Sequence, residues 1–368
     1  MRLGVRDVKV DDQIVPGDMK IEDGLVTEIG VSPRGHRGLA APGFVDLQVN
    51  GFAGVDFLTS DPVGYETAGE AIARTGVTAY QPTFISSSWK AYERALGLAR
   101  NLDPAPGGPR ILGIHLEGPF LNRVWAGAHD PDNIIEPDVE VAARLCSMGP
   151  VTYMTLAPEL PGGLELIDSL IERGIVVACG HCDADTSSAH AAFDRGARAV
   201  THIYNAQRRW QARDPGIAGA ALVRREVTVQ AIVDLVHLAP EAAYAAFLAA
   251  RGRFAIVTDA MMAAGLSDGS YRLGDRSVSV ADGVARIEDG TLAGSVSTMD
   301  AAVRNLVALG ARVSDALDAG SRVPAALVGR SELGTLRPDT PADVVVLDDS
   351  LAVQRTLVGG VEAFAALA

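Results

Sequence analysis

From residue 43 onward the chain alternates between short, continuously apolar runs and longer stretches whose apolar residues recur at helical spacing. The apolar runs cover 44–49, 77–84, 111–116, 151–157, 175–179, 199–203, 227–233 and 254–257. A strand buried on both faces has no polar side to show, so an unbroken apolar run is the mark of a parallel sheet covered by helices. Helical patterns lie between successive runs, at 63–74, 89–101, 138–147, 163–173, 186–195, 217–224 and 240–251, with a last one at 298–309. Eight strands alternating with helices predict an α/β fold, a (β/α)8 TIM-like barrel. An open doubly wound sheet would be the competing architecture, but no G-x-G-x-x-G follows any of the strands.

Both ends of the chain read differently. Short β-like pieces at 4–10, 13–15, 19–22 and 25–29 are separated by turn signals such as Glu22-Asp23-Gly24. Three more lie at 342–347, 353–358 and 361–364. Neither group can close a core alone, which predicts one small β-sandwich domain made from 1–42 and 334–368, with the barrel, 43–333, inserted between its halves. The segment from Tyr271 to Leu292 interrupts the last barrel unit and reads as a β-hairpin around Ala281-Asp282-Gly283.

The ends of the predicted strands carry the chemistry. In such a barrel, reactive groups collect at the C-terminal rim. Strand 1 runs into Asp46-Leu47-Gln48-Val49-Asn50, strand 3 into Glu117, strand 5 into His181, strand 6 into His202, strand 7 into Asp234 with His237 close behind, and strand 8 into Asp259. A carboxylate at the end of a buried strand is costly unless its charge is compensated. Glu117, His181 and His202 would supply two imidazoles and one carboxylate to a metal, leaving a fourth position open. His115, two residues before Glu117, is expected to support or pack rather than to ligate. Asp259 is placed to exchange a proton with a nucleophilic water. Arg213, with Arg208 and Arg209 nearby, makes a cationic cluster after strand 6, and an arginine fork suits a phosphate; Arg208 and Arg209 fit equally well as a solvated surface run.

Composition narrows the partners. With 48% hydrophobic and 21% charged residues over 368 positions, the chain is an ordinary globular one. Its formal charge of −14 excludes nucleic acid, which needs a basic face, and makes local arginines necessary for any anionic substrate. The start of the chain lacks the apolar core of a secretory signal, and no apolar run approaches the ~18 residues of a membrane span. Three cysteines are too few for a disulfide framework, so the cytoplasm is the expected compartment. Cys179-Gly180-His181-Cys182 has C-x-x-C spacing, but it lies within a barrel strand run, where dithiol exchange is not expected.

Several of these segments together resemble one family. Ala41-Pro42-Gly43-Phe44-Val45-Asp46, then HLEGPFLN followed by GAH, GHCDADT, THIYNA, VTDAMMAAG and TLAGS are similar, along essentially the whole chain, to the N-acetylglucosamine-6-phosphate deacetylases of the amidohydrolase superfamily. The resemblance implies hydrolysis of an acetamide on a 6-phosphorylated amino sugar, in amino-sugar catabolism. It implies Glu117, His181 and His202 as metal ligands, Asp259 as acid/base and His129 as a hydrogen-bond donor to the amide carbonyl. Ala128, His129, Asn205, Ala206, Arg213, His237, Leu292, Ala293 and Gly294 would line the substrate site, with Arg213 on the phosphate. The cofactor expected is one divalent metal per subunit, Zn2+ first and Fe2+, Mn2+ or Co2+ as alternatives, and the assembly a homodimer or homotetramer whose neighbouring loops complete the phosphate pocket. Strand 1 carries Gln48 and Asn50 where many amidohydrolases have H-x-H, which implies a single metal. Cys182-Asp183 and Gln207-Arg208 depart from the usual S-N and M-P. Related substrates, the galactosamine epimer or an N-acyl amino acid, stay open, as does a non-catalytic scaffold, which would hold no metal.

Overall fold

A computed structural model describes residues 1–102 and 107–367. Its centre is a parallel barrel of eight strands: β1 (Phe44–Val49), β2 (Val77–Ile85), β3 (Ile114–Glu117), β4 (Val151–Leu156), β5 (Val176–Cys179), β6 (Ala199–Val200), β7 (Thr228–Ala231) and β8 (Phe254–Ile256). Each pairs in parallel with the next. The seam between β8 and β1 is closed just beyond β8, where the Asp259 N–H donates to the Gln48 carbonyl at 2.9 Å and the Asn50 N–H to the Ala260 carbonyl at 2.7 Å. The run at 111–116 is not one strand. Arg110–Ile111 pairs with β2, Gly113 turns the chain at φ +89°, and β3 starts afresh at Ile114.

Helices α1 (Pro62–Ala73), α2 (Trp89–Ala99), α3 (Val139–Met148), α4 (Gly163–Glu172), α5 (Thr186–Asp194), α6 (Gly216–Val223) and α7 (Pro240–Ala249) fill the crossovers, and α8 (Met299–Ala308) follows β8. Asp61, Ser88, Asp138 and Asp185 each cap a helix start by accepting from backbone N–H groups of the first turn. Two short helices with no clear sequence signature, α9 (Val313–Gly320) and α10 (Arg322–Leu327), come next. Inside the barrel a polar ladder lies beneath the rim. His115 contacts the Leu47 carbonyl at 3.0 Å and Thr155 Oγ1 at 2.8 Å, and Thr155 passes the chain to Thr201 at 2.8 Å. His115 is therefore a satisfied packing residue; burial, the largest influence, pushes its imidazole down to about 4, so it stays neutral.

The two ends meet in one six-stranded sheet, in the order Gln13–Pro16, Val5–Val10, Arg37–Pro42, Val344–Leu347, Val353–Val358, Val361–Ala365. A two-stranded layer, Asp18–Glu22 with Leu25–Val31, belongs to the same small unit, and Val8, Met19, Val26, Ala40, Val344 and Leu357 lie in its core. The strand Arg37–Pro42, absent from the sequence expectation, is central: it pairs in parallel with the N-terminal strand and antiparallel with Val344–Leu347. Buried Lys9 reaches across from this sheet to the carboxylate of Asp318 in α9. The expected hairpin is a three-stranded antiparallel sheet, Gly269–Leu273, Arg276–Ala281 and Val284–Arg286.

Candidate active site

The rim of the barrel surrounds a cavity of about 530 Å³. At its floor, three ligand atoms from three different strand ends converge. His202 Nε2 lies 2.9 Å and His181 Nε2 3.2 Å from Glu117 Oε1, and the two nitrogens are 3.1 Å apart. Donor atoms bound tetrahedrally at ~2.05 Å are about 3.3 Å from one another, so the spacing matches a shared metal. His181 Nδ1 donates to the Trp125 carbonyl at 2.8 Å, which leaves the Nε2 lone pair of the neutral ring facing Glu117. Backbone strain accompanies this arrangement. His181 and His202, and Asp259 opposite them, have φ values of +48°, +26° and +49°, a region non-glycine residues avoid unless surrounding structure holds them there.

His129 adds a third imidazole, with Nε2 3.4 Å from Glu117 Oε2. Glu117, His129 and His181 are buried donors whose ligand atoms lie within 4.8 Å of one another, so this glutamate–histidine group could hold a metal ion. His129 and His202 compete for membership, and the hydrogen bond that His129 accepts separates them. The backbone N–H of Ser86 donates to His129 Nδ1 at 3.1 Å. Neutral His129 must then carry its proton on Nε2, which makes it a donor into the cavity. Ser86 is itself held close by Gly118, at φ +89°, where a Cβ would come within 2.3 Å of Ser86 Oγ.

Electrostatics follow from crowding. Burial alone would raise the Glu117 carboxyl, but its contacts with His129, His181 and His202 outweigh that and hold it well below the usual range. Burial drives the His129 imidazole down, with Glu117 only partly opposing. For His202 burial is again the largest influence, yet Glu117 wins and its imidazole is raised. Asp259 is pushed up to about 6, first by burial and then by the charge of Glu117. Gln48 Nε2 bridges the two carboxylates, at 2.9 Å from Glu117 Oε1 and 3.1 Å from Asp259 Oδ1, and Asn50 Nδ2 donates to Asp259 at 2.7 Å. The side chains at 48 and 50 thus serve as amide donors that fix the Asp259 carboxylate beside Glu117.

No family model matches the chain. It is 39% identical to N-acetylglucosamine-6-phosphate deacetylase of Bos taurus, covering 88% of this chain and 82% of that protein. It is 34% identical to N-acetylgalactosamine-6-phosphate deacetylase of Escherichia coli O157:H7, over 93% of each. The solved N-acetyl-D-glucosamine-6-phosphate deacetylase of Mycobacterium smegmatis superposes with a TM-score of 0.93 at 33% identity, over 99% of this chain and 100% of that one. The chain belongs to the N-acetylglucosamine-6-phosphate deacetylase family.

Against that family the remaining rim residues can be placed. Ala128, Asn205, Ala206, His237, Leu292 and Gly294 line the cavity. Ala293, between the last two, is fully buried and outside the lining. His237 is held by Asp234 at 2.7 Å; burial would raise the Asp234 carboxyl, but the hydrogen bond from His237 keeps it below its usual value. Arg213 is outside the cavity. It is exposed at the tip of a tight turn closed by reciprocal Gln211–Asp214 backbone hydrogen bonds of 2.9 and 3.0 Å. The arginines that do line the cavity are Arg123 and Arg209, the latter indistinguishable in sequence from a solvated run. The departures from the family pattern face one another: Cys182 bridges Gln207, and Arg208 pairs with Asp183 at 3.1 Å. Asp183 also accepts from the Trp125 indole at 2.9 Å, tying together the loops after β3, β5 and β6. The Trp125 carbonyl and Ser86 N–H were not legible in sequence, since any residue offers these groups. Among the described residues, no helix is long and apolar enough to cross a membrane.

Proposed function

We propose that the chain hydrolyses the acetamide of N-acetylglucosamine 6-phosphate to glucosamine 6-phosphate and acetate, a step of amino-sugar catabolism. The observation that carries this reading is the convergence of Glu117, His181 and His202 at metal-ligand spacing beside an aspartate held by two amides. Those three residues would hold one divalent metal, zinc first and Fe2+, Mn2+ or Co2+ as the alternatives. When bound, such a metal supplies Lewis acidity and lowers the pKa of water. Asp259 accepts a proton from the attacking water and returns it to the nitrogen as the C–N bond breaks. The Nε2–H of His129 donates to the carbonyl oxygen as negative charge builds there. Ala128, Asn205, Ala206, His237, Leu292 and Gly294 shape the sugar site, with Ala293 supporting its two neighbours from behind.

Arg213, at an exposed turn, would serve the phosphate of a neighbouring subunit in a homodimer or homotetramer. We further place the domain boundaries at 1–42, 43–333 and 334–368, and the enzyme in the cytoplasm. The relative that acts on the galactosamine epimer supports a second reading, N-acetylgalactosamine 6-phosphate as substrate on the same site. Steady-state acetate release from both epimers, at defined metal content, decides between them. Turnover of the glucosamine form at the higher kcat/KM is expected; no turnover of either would overturn the proposal.

A further inference from the structure

Arg208 and Arg209 are adjacent in sequence but meet different surroundings. The segment that carries them is fastened at both ends. The Arg208 N–H donates to the Cys182 carbonyl at 2.9 Å, and the turn from Gln211 to Asp214 closes the far side. The Arg208 guanidinium is neutralised from two directions, by Asp183 at 3.1 Å and by Asp214 at 2.7 Å. With Arg208 turned to that acidic pair, Arg209 faces the cavity and lines it together with Glu117, His181, His202 and Asp259. Among the described residues Arg209 makes no ion pair or hydrogen bond, whereas Arg123, the other arginine of the lining, donates to the Ile134 carbonyl at 2.8 Å.

An uncommitted guanidinium in this position has an electrostatic consequence. The chain carries a net charge of −14, and the cavity holds the carboxylates of Glu117 and Asp259. A phosphate monoester entering it is repelled unless a cation meets it locally, and arginine offers paired N–H donors matched to phosphate oxygens. We infer that Arg209 is a specificity-determining residue that binds the substrate's phosphate from within the same chain. The salt bridges of Arg208 hold the loop so that Arg209 is presented to the cavity. Arg213 lies outside this lining in its own subunit. The inference rests on the deacetylase reading and names the group that makes it phosphate-selective.

The test uses full-length, metal-loaded protein and two substrates, N-acetylglucosamine 6-phosphate and unphosphorylated N-acetylglucosamine. The quantity read is the ratio of their kcat/KM values in wild type, Arg209→Ala, Arg209→Lys and Arg213→Ala. A charge-assisted hydrogen-bond pair lost from a binding site predicts that Arg209→Ala lowers the ratio by roughly 10- to 100-fold, mainly through KM. Arg209→Lys should recover part of it, because a point charge attracts phosphate without the paired geometry. Melting temperature and metal content report whether the variants are folded and loaded. An equal fall for both substrates, or a ratio that collapses only in Arg213→Ala, would overturn the assignment while leaving the deacetylase reading intact. A wild-type ratio near one would overturn the assignment as well, whereas no turnover of either substrate would overturn the deacetylase reading itself.

Discussion

Replacing His129 by its two amide isosteres separates the jobs of its two ring nitrogens. In asparagine the amide oxygen can take the place of Nδ1 and keep accepting the Ser86 N–H, found at 3.1 Å, while nothing reaches the position of Nε2. In glutamine the amide nitrogen reaches the position of Nε2, and the Ser86 N–H loses its acceptor. Loss of one donor to a developing oxyanion costs roughly 100- to 1000-fold in kcat. His129→Asn should therefore lose about that much in kcat with its metal content unchanged, because His129 presents a proton rather than a lone pair to Glu117, 3.4 Å away. His129→Gln should retain more of kcat and lose stability instead, by about 1–3 kcal/mol for a buried N–H left unpaired. The assays are single-turnover acetate release, metal analysis of the dialysed protein, and denaturant unfolding. Loss of stoichiometric metal from His129→Asn would refute the reasoning and place His129, rather than His202, among the ligands. Near wild-type kcat in the metal-loaded Asn variant would remove His129 from carbonyl recognition.

Glu117→Gln should lose metal and activity together, since the one carboxylate of the triad becomes neutral; metal analysis that finds full occupancy would contradict this. Asp259→Asn should abolish turnover with the metal retained, and turnover by this variant near the wild-type rate would remove Asp259 from proton transfer. The pH profile follows from the same group. Asp259 is held up to about 6 and works as a base only when ionised, so kcat/KM should rise with pH, with a midpoint no higher than about 6, and level off by about pH 7. A neighbouring cation favours the carboxylate and can only move that limb lower, so a limb above pH 7 would assign it to another residue. Lys9→Met leaves Asp318 with Arg322 alone, at 2.8 Å. Its cost in unfolding free energy should stay below the ~3–5 kcal/mol of a buried charge left wholly unpaired, and a larger loss would show that Arg322 does not compensate.

The barrel was legible because parallel strands buried on both faces leave unbroken apolar runs, and all eight fall where such runs occur. The strand Arg37–Pro42 escaped for the opposite reason. Its small residues, one glycine and a proline give no alternation, and one of its partners lies some 300 residues away, as Ala40 opposite Val346 shows. Glu117, His181, His202 and Asp259 could be read as a set because each follows directly on a strand end. The roles of Arg208 and Arg209 could not, since which of two neighbouring arginines is neutralised depends on Asp183 and Asp214, and Asp183 arrives from another loop. Gln48 and Asn50 looked like the absence of ligands; only the fold shows them as donors to Asp259.

The sheet shared by the two termini also orders events during synthesis. Arg37–Pro42 leaves the ribosome early but cannot pair with Val344–Leu347 until about 300 further residues have been made. At typical elongation rates of 5–20 residues per second that is a delay of roughly 15–60 s. Throughout it, one edge of a hydrophobic strand is open to pairing with other chains, a hazard that edge strands carry generally. The barrel can form in the meantime, but the end of α1, whose Ala73 carbonyl accepts from Thr356, stays uncovered. The strands from Val344 to Ala365 therefore act as the closing piece of the N-terminal ones, and nascent chains halted before residue 344 should be far more prone to aggregate than chains that extend past these strands.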